Sequence, residues 1–331
     1  MIISFYELAV SKKNTKMGNM LKQEEYIEQQ FLFQSFRERL NDGYSSQEIL
    51  RSMKNELLNT TNLPKAVDFL LAEIKFSGEL AIAMKSMPHY FSAFQTFIIA
   101  QAERATGRLD FKVALEILEN EAAYRSQTPT RQGTFFYQLE ALSRNRLGFD
   151  HGLEAISLDP IFDESWRRWI NVVLRRQLGI VELTDLVYVR SELYRLRQDE
   201  RKNRESLSLF EDEPDQESLA DKQDDLFIRS RQSGKELTAS DVNDTDETIL
   251  FGEKEGRIAL ASRHRDPALF FAALSRHLGY PAVPRLKRVH EEENLIPILK
   301  RRIELLEGKL ELLEEELHGG INLERFYVKK D

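Results

Sequence analysis

The sequence predicts an all-α protein: a six-helix bundle, a second helical block, a disordered acidic linker and a C-terminal coiled-coil helix. Three observations carry that expectation. Glycine (15) and proline (9) are scarce in a chain of 331 residues, as they are wherever most residues sit inside helices. Apolar residues recur at three- and four-residue spacing over most of the length, the period of a one-sided helix. Acidic residues collect in one stretch: 205–248 holds 14 acidic against 4 basic residues, while the rest carries 41 against 43.

Residues 1–23 read as an N-terminal tail. Its apolar run 1–10 is interrupted by Glu7 and leads to no small-residue cleavage site, so a secretory signal is not expected. The bundle follows over 24–127. Phe31, Phe33, Phe36 and Leu40 recur at helical spacing in its first helix, which Asn41-Asp42-Gly43 ends. Ser45-Ser46 with Gln47-Glu48 offers an N-cap for a second helix carrying Ile49, Leu50 and Met53. Pro64 lies near the first turn of a third helix, with Ala66, Phe69, Leu70 and Ile74 as its apolar face, stopping near Ser77-Gly78. A short fourth helix over 80–84 ends at Met87-Pro88. The fifth covers 91–104, and the sixth, 109–124, carries Val113, Leu115, Ile117 and Leu118.

These six helices resemble a cytoplasmic domain of the F-type platform proteins of type II secretion systems and type IV pili (the GspF/PilC family). The family's glycine-led GLPLLEAL pattern corresponds to Gly43 to Leu50, GYSSQEIL, with Ile49 and Leu50 on the matching apolar positions. Its glycine turn into a short helix corresponds to Ser77-Gly78-Glu79-Leu80, then Met84, Met87-Pro88 and Phe91. Its Gly-Glu-x-(Ser/Thr)-Gly-x-Leu-(Asp/Glu) corner corresponds to Thr106-Gly107-Arg108-Leu109-Asp110. The family's Gly-Glu pair falls here on Glu103-Arg104, so the acidic residue is displaced by one and the glycine is replaced. The resemblance implies structural roles for Gly43, Gly78, Gly107 and Leu109. It also implies a protein partner, such as the assembly ATPase or an inner-membrane subunit of a secretion or pilus apparatus. The family's membrane helices have no counterpart among the apolar runs, the longest of which, 87–102, contains His89, Ser92, Gln95 and Gln101.

The second block, 128–198, opens with Phe135-Phe136, Leu139 and Leu142, then Leu147-Gly148, Leu153, Ala155 and Ile156. This echoes the first helix, glycine and second helix of the bundle, and reads equally as a decayed repeat or a helical hairpin. Trp166, Trp169, Ile170, Val173 and Leu174 form an apolar face, with the tryptophans as core anchors; Leu186, Val189, Leu193 and Leu196 form another. Residues 199–252 have no sustained period and read as the disordered acidic linker. Residues 253–290 hold a short helical segment around Leu269, Phe270, Leu274 and Leu278, stopped at Gly279-Tyr280-Pro281.

The coiled-coil helix is expected over 291–319, before a tail at 320–331. Ile296, Ile303, Leu310 and Leu317 fall on a positions and Leu299, Leu306 and Leu313 on d positions. Isoleucine-leaning a positions with leucine at d favour a parallel homodimer. A second row, Ile298, Leu305 and Leu312, widens the apolar face and suits burial in a larger bundle.

No pattern of reactive residues stands out. The chain has no cysteine and six scattered histidines, so thiolate chemistry, disulfides and paired histidine ligands on one helix are excluded. His290-Glu291-Glu292-Glu293-Asn294 has Asn where a zinc-protease helix needs its second histidine. There is no phosphate loop and no nucleophile elbow. Residues 243–247 begin like a calcium loop but lack its central glycine and closing glutamate. Asp159, Asp163 and Glu164 could supply paired carboxylates, and read equally as surface acids around Pro160. Outside the acidic stretch the charge is near neutral, and arginines alternate with acids over 125–204, which gives nucleic acid no basic face. The expectation is a cytoplasmic, non-enzymatic protein-interaction module without cofactor, acting as an adaptor or assembly factor; a self-associating helical scaffold is the alternative.

Overall fold

A computed structural model describes residues 20–104, 109–178, 182–207 and 248–285. The expected coiled-coil seam, the acidic stretch 208–247, Gly107 and the residues before Met20 lie outside the described residues. Every named element is helical, and a backbone bridge joins Ser191 to Phe251.

The first six helices follow the expected order: α1 Gln23–Asn41, α2 Ser46–Met53, α3 Leu63–Ser77, α4 Leu80–Lys85, α5 Ala93–Glu103 and α6 Phe111–Arg125. Local chemistry sets several boundaries. Ser45 and Glu48 form a reciprocal capping box at the start of α2, and Ser92 and Gln95 form another at α5. Asp110 accepts from the Lys112 and Val113 amides to start α6. Gly43 (φ 90°) and Gly78 (φ 76°) sit in left-handed backbone just beyond α1 and α3, where a side chain would be strained.

Helix α1 lies along α6, which closes the bundle. Arg37 meets Glu119 at 2.8 Å and Gln23 Nε2 donates to the Ser126 carbonyl at 2.7 Å. Polar side chains of α1 are buried and used: Glu25 accepts from the Asn62 amide and the Tyr90 hydroxyl, Glu28 from the Leu58 amide. Two expected core aromatics are corrected. Phe31 is exposed beside the buried run Leu32, Phe33 and Phe36. Phe69 is 40% exposed, because the core side of α3 is already filled by Leu63, Ala66, Val67, Leu70 and Ile74.

Beyond the bundle come α7 Arg131–Arg144 and α8 Phe149–Ser157. Helix α9 starts at Glu164–Arg168 and runs through a π turn, Trp169–Leu174, to Arg175–Gln177. The turn between α7 and α8 differs from the one between α1 and α2: its left-handed residue is Arg146 (φ 53°), and Gly148 is the extended N-cap of α8. Then come α10 Leu183–Val189, α11 Glu192–Leu207, α12 Glu253–Ala261 and α13 Pro267–Leu278.

The boundaries expected around the acidic linker are corrected at both ends. Helix α11 continues to Leu207, and Leu250 and Phe251 are buried. The Glu192 amide donates to the Phe251 carbonyl at 2.9 Å, and the Leu250 and Phe251 amides donate to the Arg190 carbonyl. Phe251 enters an aromatic cluster of Phe135, Phe136, Trp166 and Trp169, with ring centroids 5.2–6.3 Å away. The tryptophans are core anchors, as expected. The segment 253–290 is likewise core, not an appendage, as far as Arg285. Phe270 packs edge-on to Phe136, and the Tyr280 hydroxyl donates to Glu140. Leu269 and Leu196, expected on buried faces, are exposed. All described residues belong to one compact unit that ends at Arg285, and the buried apolar residues of the bundle and of the second block form one cluster.

Candidate functional site

A cavity of about 660 Å³ opens where the bundle meets the second block. One wall is the α4–α5 turn with the outward face of α5, including Pro88, Phe97 and Ala100. The opposite wall is α8 and the turn after it, including Ala155 and Leu158. Tyr26 and Arg125 also line it. The capped start of α5 and the Tyr90–Glu25 hydrogen bond (2.9 Å) fix the first wall. The second wall is fixed by Asp159.

Asp159 is fully buried and accepts from Arg125, from Gln138 Nε2 at 3.0 Å and from the Ile161 amide at 3.2 Å. Arg125 Nη2 also donates to Glu121 at 2.9 Å, one helical turn back on α6. The guanidinium carbon lies 5.8 Å from the centre of the Tyr26 ring. This ion cluster ties α6 to the α8–α9 turn, joining the two blocks. Burial opposes the Arg125 charge, but Asp159 and Glu121 outweigh it and raise its pKa well above the ordinary value. Burial also raises the Glu121 carboxyl, against the pull of Arg125. Burial raises the Tyr26 hydroxyl too.

Asp159, Asp163 and Glu164 do not form a carboxylate pair for acid–base work. Asp159 is committed to Arg125. Asp163 caps α9 through the Trp166 amide and pairs with Arg131 at 2.6 Å, and Glu164 is exposed. Among the described residues, no group of three His, Asp or Glu side chains is placed to hold a metal ion.

Lys85 and Arg167 bring positive charge to the lining, His89 and His151 bring imidazoles, and Glu154 is the one carboxylate among the lining residues. Glu154 is shared by Arg175 at 3.5 Å and His151 at 3.9 Å. Arg167 Nε and Arg125 Nε are buried and have no hydrogen-bond partner among the described residues.

A second feature lies on α3. Phe69, Ala72 and Phe76 recur at helical spacing on the side away from the core, and Phe76 is 90% exposed. Ile82, exposed on α4, follows soon after.

Of the residues expected to carry family-type roles, Gly43 and Gly78 hold the turns described and Leu109 is buried. Gly107 and the seam Ile296, Leu299, Ile303, Leu306, Leu310, Leu313 and Leu317 lie outside the described residues. Glu103, at the displaced acidic position, accepts from the Leu80 and Ala81 amides at 2.6 and 2.9 Å, so it caps α4 from across the bundle. Burial raises its carboxyl pKa despite those amides. Sequence reasoning missed Arg125 and Arg167; the only local signal for Arg125 is its spacing of four from Glu121. Among the described residues, no helix is long and apolar enough to cross a membrane. Comparison with known protein families, curated proteins and solved structures returned no match.

Proposed function

We propose that this chain is a non-enzymatic protein-interaction module, resembling the cytoplasmic domain of a type II secretion or type IV pilus platform protein and acting as an adaptor or assembly factor. The observation that carries the reading is the exposed aromatic stripe of α3, Phe69 and Phe76, on a bundle whose left-handed glycines stand at the family-like positions. An aromatic side chain left 90% exposed loses the favourable burial it would gain against a partner, so selection for a soluble fold alone gives it no role. The stripe therefore serves as the docking face for another protein, and the partner class is the assembly ATPase or the cytoplasmic part of an inner-membrane subunit. The supporting electrostatics are those of a protein contact: the bundle carries no basic face of the kind nucleic acid requires.

The test is photo-crosslinking from position 76 in the native cell, beside the variant Phe76→Glu. Secretion or pilus subunits crosslinked from position 76 and lost with Phe76→Glu support the reading. Crosslinks to a second copy of the chain alone would favour the self-associating scaffold.

A further inference from the structure

We infer that the cavity between α5 and α8 is a binding site for a small organic anion, a carboxylate or phosphate monoester carried on an apolar body. The inference is independent of the docking face on α3. Size is the first argument: about 660 Å³ falls among the volumes that hold drug-sized ligands.

Charge is the second. Lys85 and Arg167 line the cavity, and neither has an ion-pair partner among the described residues. The single lining carboxylate, Glu154, lies 3.5 Å from Arg175, whose closer partner is Asp150 at 2.7 Å, so two lining cations stand against one lining carboxylate. An incoming cation would meet uncompensated positive charge, and an incoming anion would relieve it. Arg125 does not supply that charge, because Asp159 balances it within the fold.

The remaining lining selects the body of the ligand. Tyr26, Pro88, Phe97, Ala100 and Ala155 present apolar surface, and Leu158 stands 62% exposed on the α8 side. A bare inorganic ion would leave that surface wet, so the charged group must come with an apolar part.

The test uses the full chain and four probes in calorimetry: 1-naphthaleneacetate, 1-naphthyl phosphate, inorganic phosphate and 1-naphthylmethylammonium. At least one naphthyl anion is expected to bind with a Kd below about 1 mM, and the ammonium probe at least about tenfold more weakly. The two naphthyl anions rank carboxylate against phosphate. Inorganic phosphate is expected to bind no better than about tenfold below the tighter naphthyl anion. Lys85→Gln with Arg167→Gln should weaken the anion about tenfold or more while leaving the melting temperature close to that of the parent. Thr96→Trp, on the half-buried face of α5, fills the cavity from its wall and should abolish binding with the helical spectrum unchanged. Equal affinity for the cationic probe, full affinity in both variants, or no binding of either naphthyl anion would overturn the inference.

Discussion

The bundle α1–α6 and the region α7–α13 are both helical and share one core, yet they are closed by different segments. The bundle closes through its own first and last helices, α1 against α6, with Gln23 reaching the Ser126 carbonyl across 103 positions, and most of its helix caps are set by adjacent residues. Ser45 with Glu48, Ser92 with Gln95, Asp110, Gly43 and Gly78 all act within a few positions of where they stand. The second region is closed by chain that returns after the acidic stretch. Gln132 Nε2 donates to the Leu250 carbonyl across 118 positions, and Tyr280 reaches Glu140 across 140. Its aromatic cluster is incomplete without Phe251. Secondary structure of one kind therefore says little about how far along the chain a core is assembled.

The largest expected effect tests the return segment. Phe251→Ala removes the ring that touches four others and should destabilise the chain by about 4 kcal/mol. Both tryptophans of the chain lie in that cluster, so their fluorescence reports the second region while far-ultraviolet dichroism reports all helices. The two signals should still melt together in the variant, because the Arg125–Asp159 cluster couples the regions. A fluorescence transition well below the dichroism transition would mean that the regions unfold separately.

Asp159→Asn attacks that coupling directly. It leaves the buried Arg125 guanidinium with Glu121 alone and should cost about 3 kcal/mol in denaturant melts. Separation of the two melting signals is most expected here. Loss of less than about 1 kcal/mol would show that the cluster is not what joins the halves.

Gly78→Ala tests the locally coded side of the comparison. Alanine at φ 76° is strained though the site has room for the atom, and the cost should be about 1 kcal/mol. Glu121→Gln is expected to be smaller still, within about 1 kcal/mol, with its signature in pH dependence. The buried Glu121 carboxyl has its pKa raised, so the folded state keeps a proton that the unfolded chain releases. Stability contributed by this group is present below the ordinary glutamate value and is lost as pH rises through the raised one. Urea midpoints followed upward from the ordinary glutamate range should show that decline in the parent and a flatter profile in the variant.

Legibility in the sequence divides along the same line. The helix order of the bundle and its left-handed glycines can be read because caps and turns are chosen by neighbours, and a period of three to four marks each buried face. The exceptions, Phe31 and Phe69, differ in cause: other apolar residues fill the core side of α3, whereas α1 buries Glu25, Glu28 and Gln29 on polar partners and leaves Phe31 outside, and spacing alone shows neither. Phe251 was hidden because a buried residue at the end of an acidic, aperiodic stretch has no periodic neighbours to announce it. Asp159 sits beside Pro160 among other acids, and its partner is 34 positions away. The cavity was not legible at all. Its walls come from α1, the α4–α5 turn, α5, α6, α8 and α9, and only packing brings Lys85 and Arg167 to one opening.

The pairing of Ser191 with Phe251 has a topological consequence. Backbone bonds from residues 190 and 192 grip residues 250 and 251, so the chain between them begins and ends at one point of the fold. A cut within 208–247 severs no described helix. The piece after 247 carries Phe251, which sits between α7 and α9, together with α12, packed on α10 and α11, and α13, packed on α7. Two co-expressed fragments divided within 208–247 should therefore copurify, and assembly of the whole core becomes a binding equilibrium that concentration controls.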